Sequence, residues 1–299
     1  MSGNNKGPVG VIGLGIMGSA MAANLLQSGF EVIGADIVAA CRDELTKAGG
    51  TAVANASEVG KRCRHIILAL ASEAALNSVC GELAASCVSG TIVLETGTLP
   101  LVAKQKQRTM LAEKGITLLD CTISGTGAQA RKRDLAVYAS GDAGAIKEVG
   151  PVIDGFARAC YDLGEFGNGS KMKLVANLLV AIHNVAAAEA ILFGARSGLD
   201  PATVVRVVAD GAGGSRMLEV RGPVMVNRTW AEATMKNSVW QKDMKLIGEA
   251  LQAAGCPAPL FSATIPIYSA ATASGHAEHD TAAVYEILER MAGKPALNQ

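Results

Sequence analysis

The chain has 299 residues, 49% hydrophobic but only 4% aromatic, with 34 glycines; that is long for one compact core and comfortable for two domains. Its 27 basic and 27 acidic residues cancel, which argues against a global field drawing it to nucleic acid or an anionic membrane and leaves any charged ligand to be held locally. Seven scattered cysteines, none spaced CxxC, argue against a disulfide framework and point to reduced thiols in a cytoplasmic protein; the opening "MSGNNKG" lacks the layout of a secretory leader.

In chain order the first half alternates. "VGVIG" (9–13) is expected as a buried strand, 16–28 as an Ala- and Leu-rich helix, "EVIGAD" (31–36) as a second strand and 39–48 as a helix. "HIILAL" (65–70), "TIVLET" (91–96), "GITLLD" (115–120) and "LAVYAS" (135–140) continue the strands, with helices at 73–86 and 101–114. Near-continuous apolar strands alternating with helices predict a parallel sheet covered on both faces. After about residue 163 the pattern turns helical. From 170 to 197 there is no proline and no turn cluster, and a helix of about 28 residues at 1.5 Å rise runs about 40 Å. Asn177, His183, Asn184 and Glu189 interrupt its apolar run, so it is not expected to span a membrane. Further helices are expected at 201–210, 217–226, 234–254, 260–274 and 281–291. The expected fold class is α/β: a Rossmann-type doubly wound sheet domain (1–167), then an all-helical C-terminal domain (168–299), joined by the long helix.

Gly13, Gly15 and Gly18 form G-x-G-x-x-G between the first strand and the first helix, 18 residues ahead of Asp36 at the end of the second strand. In that context the first glycine makes the tight turn, the second admits a pyrophosphate to the backbone, and the third lets helix and strand pack closely. The helix N-terminus then offers unpaired N–H groups to the anion. The turn of Gly13, Leu14, Gly15, Ile16, Met17 and Gly18 is the candidate cofactor cradle. Asp36 would accept hydrogen bonds from the adenosine ribose and repel a 2′-phosphate. Ile37 and Val38 follow it rather than an arginine, which favours NAD over NADP; Arg42, on the next helix, works the other way. Without a ligand, the same glycines are a plain strand–helix turn and Asp36 a helix cap.

Four blocks in order resemble the 3-hydroxyacid dehydrogenase family, which includes 3-hydroxyisobutyrate, tartronate semialdehyde and L-threonate dehydrogenases, with 6-phosphogluconate dehydrogenase as a larger cousin. "GLGIMGSAMAANL" (13–25) is similar to its N-terminal signature, and "DCTISGTGAQA" (120–130) to its substrate block D-x-P-V-S-G-G. "GNGSKMKLVAN" (167–177) is similar to its catalytic-helix block G-x-G-x-x-x-K-x-x-x-N, and "QKDM" (241–244) to its K-D-L block. The resemblance implies that Lys173, not Lys171, is the catalytic lysine, with Asn177 beside it. It implies cofactor contacts from Leu70 and Thr96, a Lys242 braced by Asp243 that approaches the cofactor or the substrate, and a substrate carboxylate held by Ser124, Gly125 and Thr126; the plainer alternative for Ser124 and Gly125 is an ordinary turn. Two positions depart from the family pattern: Thr122 replaces its proline and Thr126 its second glycine. A side chain at 126 narrows or repolarises the pocket, which points to a smaller or more hydroxylated substrate than 3-hydroxyisobutyrate.

Lys173 and Asn177 are four residues apart, so they share a helix face. A lysine opening an apolar helix is partly desolvated, as a general base requires; the plainer alternative is a solvated lysine with an asparagine packed beside it. Ser215 and Arg216, in "GGSRML" (213–218), are candidates for a distal polar or anionic substrate group, against a surface arginine or a subunit salt bridge. His276 and His279 lack further ligands, so no metal is expected, and the segment around them reads as solvated. His183 and the group Met17, Met21 and Met172 read as core.

Together these observations point to an NAD-dependent oxidoreductase of a small hydroxy-carboxylic acid, cytoplasmic, with no nucleic-acid or membrane partner. The apolar long helix points to a homodimer or homotetramer. Rival readings are an imine-type reductase on the same fold, which generally lacks this lysine, a decarboxylating sugar-acid enzyme, which needs a longer C-terminal domain, and a non-catalytic NAD-binding module.

Overall fold

In a computed structural model, which describes residues 6–293, the chain divides into two units, Met1–Lys173 and Leu174–Gln299. The first five residues, where no leader is expected, lie outside the described residues. The first unit runs β1 (Lys6–Ile12), α1 (Ile16–Gln27), β2 (Phe30–Ala35), α2 (Ala39–Lys47), β3 (Thr51–Val53), α3 (Ala56–Arg62), β4 (His65–Leu68) and α4 (Glu73–Ser86). It continues with β5 (Ile92–Glu95), α5 (Leu101–Ala112), β6 (Thr117–Ser124), α6 (Gly127–Arg131), β7 (Ala136–Ser140), α7 (Ala143–Phe156) and β8 (Ala159–Asp162). The sheet order is β3-β2-β1-β4-β5-β6-β7-β8. Chain direction across the sheet reverses between β1 and β4, the switch point where open α/β sheets bind ligands at the carboxyl ends of their strands.

The expected all-parallel sheet needs one correction: β6 and β7 pair antiparallel, Asp120 opposite Ser140 and Ser124 opposite Ala136. Only α6 and its flanking turns join them, too little chain for a right-handed crossover, so the chain folds straight back. For the same reason β6 does not stop at Asp120 but continues to Ser124. Several short elements, β3, α3, α6 and β8, are not anticipated by the sequence pattern, nor is α7. The last contains Pro151, yet it buries Ile146, Val149, Val152, Ile153 and Phe156; tertiary packing overrides its weak helix propensity. Met21, Leu25, Val149 and Phe156 fill one face of the sheet, and Val59, Leu76, Leu83 and Leu111 the other.

The second unit holds most of α8 (Asn168–Arg196), whose first turns belong to the first unit. After it come α9 (Pro201–Ala209), α10 (Arg216–Asn227), α11 (Asn237–Ala253), α12 (Pro259–Ala271) and α13 (Val284–Met291). Among the described residues, α8 is the one helix long and apolar enough to cross a membrane by length and composition. Two of its polar residues are buried and paired inside the unit. Asn177 Nδ2 donates to Asp243 Oδ2 at 2.9 Å, and Asn184 Nδ2 donates to Tyr268 Oη and the Thr281 carbonyl, both at 3.0 Å.

The helix expected from 234 starts instead at Asn237. Asp280 Oδ2 accepts from Thr234 N (2.8 Å), Thr234 Oγ1 (2.8 Å) and Met235 N (3.1 Å), holding that strand-like approach out of the helix. The segment expected to be solvated is also corrected: His276 is buried, edge-on to Trp230, with its Nδ1 2.9 Å from His279 Nδ1. Met172 is exposed rather than core. Burial pushes the Asp280 carboxyl up, but the Arg221 guanidinium and the donors of Ala282, Thr234 and Met235 outweigh it and hold the group below the ordinary aspartate range. A depressed carboxyl stabilises the fold above the unfolded-state value of about 3.9, and this is lost as pH falls through the folded-state value. Asp280→Asn is therefore expected to cost about 2–4 kcal/mol at pH 7, with the deficit shrinking below pH about 4; urea unfolding across that range checks both.

Candidate active site

The glycine turn is built as a cradle. Gly13 takes a left-handed φ of +89°, and its N–H donates to the Ala35 carbonyl at 2.9 Å, tying the turn to β2. A Cβ on Gly18 would stand 1.8 Å from the Gly13 carbonyl oxygen, so α1 can pack this close to β1 only with glycine there. Gly15 is different: a Cβ there would meet nothing within 4 Å. It is the N-cap of α1 and supplies no side-chain acceptor, so no cap side chain satisfies the first N–H groups of the helix, and Ile16 beside it is exposed. This is the geometry an incoming pyrophosphate fits, and the residues present fit a dinucleotide.

Asp36 is fixed at the rim. Its Oδ2 accepts from Leu14 N at 2.6 Å and its Oδ1 from Val38 N at 2.7 Å, while Arg42 Nη1 donates to its backbone carbonyl at 2.5 Å. The carboxylate thus holds the glycine turn, and Arg42 lies beside it. Leu70 packs against the turn, its Cδ2 3.4 Å from the Cβ position of Gly13. Thr96 is buried, and its hydroxyl donates to the Leu68 carbonyl at 2.6 Å; that proton is spent on β4.

Ser124 ends β6, and Gly125, with φ +139°, makes the turn that follows. Thr126 caps α6: its hydroxyl accepts from Gln129 N at 3.4 Å, and Gln129 Oε1 accepts from Thr126 N at 3.0 Å. The side chain that replaces the family glycine is a buried helix cap. The threonine that replaces the family proline also has a partner, since Thr122 Oγ1 donates to the Gly169 carbonyl at 2.7 Å.

Lys173 is half-buried, three residues beyond Ser170 on α8. Lys171 is exposed, its Nζ 3.2 Å from Asn168 Oδ1. In the second unit, buried Asp243 links Asn177 to Lys242, whose Nζ lies 3.2 Å from Asp243 Oδ1. The Ser215 hydroxyl caps α10 by accepting from Leu218 N at 3.1 Å, and exposed Arg216 pairs with Glu219 at 2.8 Å.

A group of residues that the sequence pattern does not single out anchors the start of α8. Lys104, Glu95 and Asp120 are fully buried; Lys104 Nζ lies 2.5 Å from Glu95 Oε2 and 2.8 Å from Asp120 Oδ1. Asp120 also accepts from Ser170, N to Oδ2 at 2.7 Å and Oγ to Oδ1 at 2.9 Å. Burial alone lowers the Lys104 ammonium, but Glu95 and Asp120 outweigh it and hold the group above the ordinary lysine value; Lys104 is a fixed cation and no base. Burial pushes the Glu95 carboxyl up against the pull of Lys104. The signal available in the sequence was two acids closing or interrupting apolar strands, which demand a buried cation; nothing local singles out Lys104 from Lys106 or Arg108.

The switch-point sheet and its glycine cradle define a class, the dinucleotide-binding α/β proteins, and the chain's relatives narrow it. The family model described as the NAD binding domain of 6-phosphogluconate dehydrogenase matches residues 8–164. The model described as NAD-binding of NADP-dependent 3-hydroxyisobutyrate dehydrogenase matches residues 167–288. The chain is 33% identical over 286 residues to an L-threonate dehydrogenase of Cupriavidus necator, covering 94% of this chain and 95% of that protein. It is 29% identical over 296 residues to an NAD-dependent L-serine dehydrogenase of Pseudomonas aeruginosa, covering 96% and 99%. The crystal structure of a 3-hydroxyisobutyrate dehydrogenase from Salmonella typhimurium matches with a TM-score of 0.86 at 28% identity, covering 94% of this chain and 100% of that one. The chain belongs to the 3-hydroxyacid dehydrogenase family and is an enzyme that oxidises or reduces hydroxy acids with a nicotinamide dinucleotide.

The cradle separates two substitutions. Gly15→Ala is expected to keep stability within about 1 kcal/mol of wild type while weakening dinucleotide binding at least about tenfold. Gly18→Ala, overpacked against backbone, is expected to lose about 1–3 kcal/mol as well as affinity. Thermal melts with and without cofactor read both.

Proposed function

We propose that the chain is an NAD-preferring dehydrogenase of a small hydroxy-carboxylic acid in which Lys173 is the general acid–base. The observation that carries this is the half-buried Lys173 on α8, in a helix start held by hydrogen bonds to Asp120 and Thr122. It is the lysine of that region suited to proton transfer, since Lys171 is exposed and Lys104 is a locked cation. Ser124 and the turn at Gly125 bind the substrate carboxylate. Asn177, whose amide is fixed by Asp243, orients the reacting oxygen, and Lys173 takes the hydroxyl proton in oxidation and returns it in reduction. The bound dinucleotide supplies hydride transfer at the hydroxyl carbon.

Thr126, engaged as a cap, contributes shape rather than a hydroxyl. Ser215 and Arg216 remain the candidates for a distal substrate group, the exposed Arg216 guanidinium above all. The fixed Asp36 carboxylate disfavours a 2′-phosphate, and neighbouring Arg42 softens that preference. Lys242 serves the cofactor side, paired with Asp243. Relatives acting on L-threonate and L-serine support a small hydroxylated acid as substrate. Soluble, cytoplasmic placement fits a helix α8 whose buried asparagines are paired within its own unit.

Lys173→Ala is expected to lower kcat by about a hundredfold to ten-thousandfold with dinucleotide affinity retained; near-normal turnover would reject the assignment. The assay is cofactor reduction over L-threonate, L-serine, D-glycerate, 3-hydroxyisobutyrate and 3-hydroxypropionate with NAD and NADP, and faster turnover with NADP would overturn the cofactor preference.

Val175, Leu179 and Phe193 are 58%, 46% and 75% exposed. At about 100° per residue they fall within roughly 40° of one another on α8, an apolar stripe that a second copy would cover. A homodimer or homotetramer is expected by light scattering, with Phe193→Asp shifting mass toward the monomer.

A further inference from the structure

Lys104 has no part in the chemistry above, yet its ammonium is fully engaged. Its three donors meet Glu95 Oε2 at 2.5 Å, Gly97 O at 2.7 Å and Asp120 Oδ1 at 2.8 Å. Glu95 closes β5, and its other oxygen accepts from Gly97 N at 2.8 Å, so the cation is seated on the end of that strand. Asp120, in β6, passes the constraint on by accepting from both the N–H and the hydroxyl of Ser170. Two further side chains restrain the start of α8: Thr122 Oγ1 donates to the Gly169 carbonyl, and Ser140 Oγ accepts from Gly167 N (3.2 Å) and Gly169 N (2.9 Å). The approach leaves no slack, because a Cβ on Gly169 would stand 2.4 Å from the Tyr138 carbonyl oxygen and 2.7 Å from that of Asp120.

Ser170, Lys173 and Asn177 are spaced three and four apart, so they lie on one helix face. Pinning Ser170 therefore sets the rotation of α8 that aims Lys173. Apolar packing tolerates a few degrees of helix rotation; a directional set of short charged hydrogen bonds does not. A buried charge cluster is a poor way to gain stability over apolar side chains of similar volume, and fixing one orientation is what it does better.

We propose that Lys104 is a positioning residue: through Asp120 and Ser170 it fixes the helical phase of α8 and so the placement of the Lys173 amine. The inference rests on Lys173 being the proton acceptor. The test compares Lys104→Met, the double variant Glu95→Gln/Lys104→Met, and Lys173→Ala, each with steady-state kinetics, NADH binding by fluorescence and a thermal melt. Lys104→Met strands two buried carboxylates and risks misfolding. The double variant keeps the cluster's formal charge, one cation with two anions becoming one anion, and so isolates the lost link.

The expected result is a fall in kcat of about 10- to 100-fold, the scale of a misplacement near 1 Å, with hydroxyacid KM and NADH affinity close to wild type. Unchanged kcat in the folded double variant, or a parallel loss of kcat and NADH affinity, would overturn the positioning role while an inactive Lys173→Ala leaves the underlying reading intact. An active Lys173→Ala would instead remove the reading on which the inference stands.

Discussion

The first unit is organised around one buried cation. Lys104 sits among two carboxylates and a carbonyl with no exposed surface, and stranding such charges by removing a partner costs about 3–5 kcal/mol. That penalty makes the arrangement all or nothing. With Lys104 in place, Glu95 and Asp120 can end or cross apolar strands, and the start of α8 can be drawn onto β6 and β7. Thr122 and Ser140 complete the attachment, so strands laid down for the sheet also fix the helix that carries Lys173.

The same unit treats two helix N-termini in opposite ways. Near the start of α8 an N–H meets an anion supplied by the protein, the Asp120 carboxylate, and that turn is buried against strands. At the start of α1 the cap is a glycine with no side chain, and the turn is open. Both follow from the unpaired N–H groups and positive end of a helix. One end is satisfied internally and serves as a fixed support; the other has no capping side chain. Asp36 supplies an internal anion here too, bracing the turn through Leu14 N and Val38 N.

In the second unit polar residues organise an otherwise apolar core. Asp280 gathers donors from the approach to α11, and Asp243, on that helix, joins Lys242 to Asn177 on α8. Asn184 plays a related part with Tyr268 and Thr281. These buried bonds fix which face of α8 packs inward, a choice its hydrophobicity leaves open because it is apolar on more than one side.

Much of this was legible in the chain itself. The glycine spacing, the strand–helix alternation and the unbroken run of α8 are local or periodic signals, and turn sterics and helix period determine them without reference to distant residues. The Lys173 and Asn177 spacing is of the same kind. What folding alone decided depends on partners far apart in sequence. The antiparallel return of β7 follows from how little chain joins it to β6. The choice of Lys104 as counter-ion, the use of Thr126 as a cap and of Thr122 as a tether, and the burial of His276 all turn on which groups meet once apolar surfaces have packed. A residue type states what it can bond to, but burial sets how costly it is to bond to nothing, and that cost exists only in three dimensions.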